Sequence, residues 1–158
     1  MIYRNHACNY RKPAGCPLNG NCLKSSVIYL ATVATKDNRP PQTYIGLTEN
    51  SFKTRFTNHR NSFKDHKKKL STELSKHVWK LKEANVNFQI SWKILKHGTS
   101  FNPVSERCNL CLWEKYFIIC RSDLATLNKR NELVSSCRRA KKYLLSNLIC
   151  WLISTHHY

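Results

Sequence analysis

Apolar residues fall in runs whose period changes along the chain, and each change marks an element. Residues 1–26 have no period: cysteines lie among Asn, Gly and Pro, so a ligand or docking must order this arm. Residues 27–34, VIYLATVA, are almost continuously apolar and rich in β-branched side chains, which suits a buried strand. A polar, proline-bearing loop from Lys36 to Gln42 leads to a second strand at 43–48. From Asn50 the period becomes helical, with Phe52, Phe56 and Phe63 on one side and Lys53, Arg55, His59 and Arg60 around the rest. Ser71 or Thr72 caps a second helix carrying Leu74, Val78 and Leu81, which Asn85 and Asn87 end. Phe88, Ile90, Trp92 and Ile94 then alternate with Gln89, Ser91 and Lys93 as a half-buried strand. A loop through Gly98 and Pro103 precedes a third helix with Leu110, Trp113, Phe117 and Cys120 on its core face. Residues 132–147 are expected to form a fourth, very basic helix. The order β-β-α-α-β-α-α predicts a small mixed α/β domain whose sheet is three-stranded, largely antiparallel and flanked by helices.

Charge adds a partner to this picture. In 158 residues, 27 Lys and Arg face 9 Asp and Glu, a net +18 that calls for a polyanion, with DNA ahead of an acidic membrane surface. Two basic segments, KDHKKK at 64–69 and RRAKK at 138–142, read as solvated faces or nuclear-import signals. On a DNA-binding protein they double as phosphate contacts without sequence information. The best apolar run, Leu144 to Ile153, is broken by Ser146 and Asn147 and falls short of the ~20 residues of a bilayer span. Arg4, Asn5 and His6 do not open a secretory signal peptide, so the eight cysteines are expected in a reducing compartment, free or on metal rather than in disulfides.

Several residues are candidates for chemistry. Glu114 is the only acid in the apolar third helix, where a carboxylate is costly unless Lys115 or a divalent cation offsets it. Arg55 and His59 stand four apart on one helix face and repel unless an anion lies between them. Tyr29 and Tyr44, one per strand, read alone as ordinary sheet tyrosines. Cys108-x-x-Cys111 has the bite of a zinc knuckle, and Cys16 with Cys22 around PLNGN supplies the other half of a four-thiol structural site. Such a site would fasten the arm to the third helix one turn before Glu114. The chief alternative is the local set His6, Cys8, Cys16 and Cys22. Cys120, Cys137 and Cys150 are read as small buried hydrophobes, and Trp79, Trp92 and Trp113 as core.

The order of these parts resembles the GIY-YIG nuclease family. Val27-Ile28-Tyr29 looks like its first motif, with valine in place of the first glycine, and Tyr44-Ile45-Gly46 matches its second. The 14 residues between Tyr29 and Tyr44 make a hairpin somewhat longer than usual there. Arg55, His59 and Glu114 stand where the family has its helix arginine, a histidine one turn on and a metal-binding glutamate; Asn128 matches a polar residue downstream or caps a helix before Asn131 and Glu132. The segments CPLNGNC, TYIGLTENSFKTRF, STELSKHVWKLK, RCNLCLWEKYFI and LNKRNELVSSCR look like the endonuclease domain that ends Penelope-like retroelement polyproteins.

That resemblance implies a metal-dependent DNA endonuclease over 27–145, nicking target DNA for retroelement insertion in the nucleus. The chain would then be a C-terminal piece detached from its reverse transcriptase, with 146–158 outside the pattern. Tyr29 would activate water, helped by His59 or Tyr44; Arg55 would grip the scissile phosphate; Glu114 would hold Mg²⁺ or Mn²⁺. The rival expectation is a zinc-stabilised nucleic-acid-binding module that no longer cleaves.

Overall fold

The computed structural model describes residues 7–37, 39–99, 101–104, 109–129, 134–135 and 143–144. Its sheet is built around β1 (Val27–Thr35), which pairs antiparallel with β2 (Gln42–Thr48) on one side and β3 (Phe88–His97) on the other, giving the order β2-β1-β3. Successive side chains of a strand point to opposite faces, so a strand covered on both faces must be apolar without interruption. β1 meets that condition because helices lie on both sides of it. Tyr29, Ala31 and Val33 pack with Phe52 of α1 (Phe52–Ser62) and with Leu74, Val78 and Leu81 of α2 (Glu73–Glu83). Ile28, with Ile45 of β2, packs against Leu110 and Ile118 of α3 (Asn109–Cys120). The described residues therefore form a small α/β domain with a three-stranded antiparallel sheet and three α-helices, the fold class that the apolar pattern predicts.

Local chemistry sets the helix ends. Ser51 caps α1 by accepting from the Thr54 N–H, and Thr72, rather than Ser71, caps α2 by accepting from the Ser75 N–H. Ala84 and Asn85 close α2, Asn85 at φ +52, a conformation asparagine tolerates better than most residues. The inner face of α1 differs from the expected one. Phe52, His59 and Ser62 are its buried residues, while Phe56 and Phe63 flank them half-buried. A histidine turns inward because β1 offers it a polar partner there.

The Cys-rich arm is docked. Cys16, Leu18 and Cys22 are buried in the same core as Tyr29 and Phe52. The carbonyls of Cys22 and Lys24 accept from the Lys53 and Phe52 N–H groups at 2.7 and 2.9 Å, so the arm satisfies the first orphan donors of α1.

Other expectations need correction. α3 buries Leu110 and Ile118, leaves Trp113 and Phe117 half-covered, and exposes Cys120 at its last position, because a helix apolar all round gives periodicity no face to choose. In place of the expected fourth helix, β4 (Val134–Ser135) pairs antiparallel with β5 (Tyr143–Leu144), at positions where valine and tyrosine favour extended chain. The rest of 132–147, with the basic run 138–142, Cys137, Cys150 and all of 146–158, lies outside the described residues. Among the described residues no helix is long and apolar enough to cross a membrane.

Candidate active site and thiol cluster

Tyr29 and Gly46 are directly opposite in the β1–β2 ladder. The tyrosine ring crosses over the glycine so closely that a Cβ there would lie 2.3 Å from the hydroxyl oxygen. Gly46 thus lets the Tyr29 hydroxyl lie over β2, where α1 reaches it. Arg55 Nε donates to that oxygen at 2.9 Å, and the Tyr29 hydroxyl is 2.7 Å from His59 Nε2. A neutral imidazole with its proton on Nδ1 completes a single chain of donors from Arg55 through Tyr29 to His59. The four-residue spacing of Arg55 and His59 on α1 is what brings both side chains to one oxygen.

Burial sets the electrostatics. Tyr29 is fully enclosed and His59 nearly so, at 2 % exposure. Burial, reinforced by the Arg55 charge, brings His59 down to about 3, so the ring is neutral across the physiological range. Burial pushes Tyr29 well up, with help from Tyr44 and against the opposing pull of Arg55. Tyr44, 9 % exposed, stands edge-on to the His59 ring at 6.0 Å and is pushed up to about 12, by burial first and then by Glu114. Trp92 of β3 frames the group, 5.4 Å from the His59 ring and 5.9 Å from that of Tyr29, with Phe63 stacked 6.0 Å from His59. Sequence reasoning placed Trp92 in the core without seeing that it walls this site; its alternation in β3 was the available signal.

Glu114 approaches from α3. Part of its surface stays open, yet protein surrounds the carboxylate closely enough to raise it to about 7, against the charges of Arg55 and Lys115 and a hydrogen bond from the Leu47 backbone. Asn128 lies outside this cluster. Its side-chain oxygen accepts from the Ile45 N–H at 2.8 Å and its NH₂ donates to the Ile45 carbonyl at 2.9 Å, as a neighbouring strand would. Thr126 and Leu127 do the same for Thr43, so side chains and a short segment finish the outer edge of β2, the strand that carries Tyr44. Of the six predicted residues, Tyr29, Tyr44, Arg55 and His59 meet directly; Glu114 acts on them through charge, and Asn128 bonds the backbone of β2, the strand of Tyr44.

A second constellation lies in the arm. The sulfurs of Cys8, Cys16 and Cys22 fall within 4.8 Å of one another and could hold a metal ion. The Gly20 N–H points at Cys16 Sγ at 3.2 Å and the Tyr10 N–H at Cys8 Sγ at 3.5 Å. Burial alone would raise Cys16, but the Leu18 and Gly20 amides and the two neighbouring thiols overcome it and bring this thiol to about 7. Cys22 is more enclosed and its S–H is the donor toward the neighbouring thiols, so burial first and these bonds second push it up to about 12. The expected partnership with the third helix fails at Cys111, which packs with Leu110 and Ile118 on the opposite face of the sheet. A two-residue gap in the sequence does not reveal which side of a sheet the helix will cover. Cys108 and the alternate ligand His6 lie outside the described residues. Among the described residues the arm is fastened to α1, so the thiols connect to the helix of Arg55 and His59.

No family model, no curated protein and no solved structure matches the chain, so the functional reading rests on this geometry and on the motif resemblance.

Proposed function

We propose that the chain is a metal-dependent DNA endonuclease of the GIY-YIG type, hydrolysing a phosphodiester to nick target DNA for insertion of a Penelope-like retroelement. Nuclear DNA is then its substrate, and a reverse transcriptase domain its partner in the whole element. The observation that carries this reading is the buried chain Arg55, Tyr29, His59, with 2.9 and 2.7 Å contacts meeting at one hydroxyl. A neutral histidine that accepts from the phenol fixes the direction of the hydroxyl proton, while burial and the Arg55 charge keep the ring itself unprotonated. With that bond and the one from Arg55 Nε in place, the Tyr29 oxygen keeps one lone pair to orient the attacking water, whose proton passes to a phosphate oxygen or to bulk water as its oxygen bonds to phosphorus. Arg55 uses Nε on Tyr29 and also reaches Tyr44; its remaining N–H donors suit phosphate oxygens and the charge that grows on them. Tyr44 lies beside Glu114 and His59, placed to donate toward the departing oxygen.

Glu114 suits a hard cation. Its carboxylate is raised to about 7 because burial leaves the charge poorly compensated, and Mg²⁺ or Mn²⁺ is commonly held by one or two carboxylates plus substrate oxygens. When bound, such an ion supplies Lewis-acid neutralisation of the phosphate and leaving oxygen. Zinc suits the soft donors Cys8, Cys16 and Cys22 as a structural ion, and the sequence offers His6 for a fourth position.

The test is supercoiled plasmid nicking with Mg²⁺, with EDTA and with Glu114→Gln. Losing a cation worth about 4 kcal/mol at the transition state slows cleavage roughly a thousandfold. The variant should stay folded and bind DNA. Nicking within tenfold of wild type would remove Glu114 from the site. A second reading, a zinc-stabilised nucleic-acid-binding module without cleavage, is favoured by the complete enclosure of Tyr29, which a water must reach past Arg55. Binding with no nicking under either metal would select it.

A further inference from the structure

Beside the tyrosine cluster a cleft of about 250 Å³ opens between α1 and the turn that leads into α2. Arg55 and His59 form its inner end, while Asn58, Asn61, Lys68 and Ser71 line its outer part. No carboxylate lines it. Lys68 has Asp65 at 3.9 Å, both more than 40 % exposed, a weak claim on its charge; Lys69 next to it is held by Glu83 at 2.6 Å. Asn58 and Asn61 follow Arg55 along α1, so the polar floor runs about 9 Å at 1.5 Å per residue. One nucleic-acid strand carries a phosphate every ~3.4 Å of helix axis, so this floor is longer than one phosphate requires.

We propose that this cleft is a second phosphate subsite, in which Asn58, Asn61 and Lys68 hold the backbone phosphate next to the one gripped by Arg55. The inference rests on the nucleic-acid reading above and deepens it. The amides donate to phosphate oxygens, the lysine supplies charge, and none of them reads a base, so the subsite sets the register of the strand and not its sequence. A strand held at two consecutive phosphates along α1 cannot swing about Arg55. That orients the scissile bond against the Tyr29 hydroxyl.

The experiment measures binding of a labelled DNA oligonucleotide by fluorescence anisotropy over a salt series, without divalent metal so that nothing is cut. Asn58→Asp places a carboxylate among the phosphate oxygens and should weaken binding at least about tenfold. Lys68→Ala should lower the slope of log affinity against log salt by about 1. Lys80→Ala, which removes the same charge from α2 outside the cleft, should change the slope less. Side-chain amide resonances of Asn58 and Asn61 should shift with the oligonucleotide. If Asn58→Asp binds as wild type, or if inorganic phosphate shifts those resonances and the oligonucleotide does not, the subsite is overturned. The nuclease reading fails separately: absent plasmid nicking by wild type would sink it while the binding effects of the cleft variants stand.

Discussion

Gly46 has no room for a methyl group. A Cβ there would meet the Tyr29 oxygen at 2.3 Å and Cζ at 2.5 Å, so Gly46→Ala must displace the buried ring. Overpacking of this kind costs about 1–3 kcal/mol, and Tyr29→Phe should not rescue it because the Cζ contact remains. Chemical denaturation of the single and double variants checks both statements. His59 makes a second residue-scale argument. Its folded value of about 3 lies below the unfolded 6.5, so between them the unfolded chain binds the extra proton. The stability contributed by the neutral ring is whole above pH 6.5 and drains as pH falls toward 3, by up to about 1.4 kcal/mol per pH unit. His59→Gln should be less stable at neutral pH but should lose stability less steeply on acidification; parallel pH profiles for the two proteins would contradict it.

At the scale of elements, α1 is held from both ends of its function. Its first turn is closed by the carbonyls of Cys22 and Lys24, and the next turns present Arg55 and His59 to β1. Removing the proposed metal from the thiols should therefore loosen the helix that carries Arg55 and His59. With a chelator, or in Cys16→Ser, the melting temperature should drop and the Phe52 and Lys53 amides should exchange faster with solvent. Unchanged exchange, with no zinc by metal analysis, would return the three cysteines to the core. The outer edge of β2 makes the same point without metal. Asn128 supplies one donor and one acceptor to Ile45, so a side chain far along the sequence completes the strand of the second tyrosine.

For the molecule as a whole, charge dominates. If DNA is the partner as proposed, a net +18 on 158 residues means an affinity that salt should erode steeply, roughly 10³-fold between 50 and 200 mM if about six phosphates are contacted. A flat salt profile would oppose the nucleic-acid reading. The charge is arranged rather than uniform. Lys69 and Lys76 are paired with Glu83 and Glu73, whereas Lys68 and Arg55 line the cleft beside the tyrosines.

The sequence by itself determined the elements from β1 to α3 and their order. A strand covered on both faces must be apolar throughout, a half-buried one must alternate, and a capped helix must repeat near every fourth residue; β1, β3 and α2 obey those local rules. It also brought Arg55 and His59 to one helix face, since their spacing is a property of any helix. Where periodicity was silent, only the tertiary structure decided. α3 is apolar all round, so its buried face, and with it the side of the sheet on which Cys111 lies, depended on packing. The partners of Cys16 and Cys22 likewise depended on where the arm docked, and it docked on α1. The reason for Gly46 is a ring from the neighbouring strand, and the partner of Asn128 is a backbone 83 positions away. Contacts between distant segments leave no period in the chain, because what they require is a shared place in space and not a spacing in sequence.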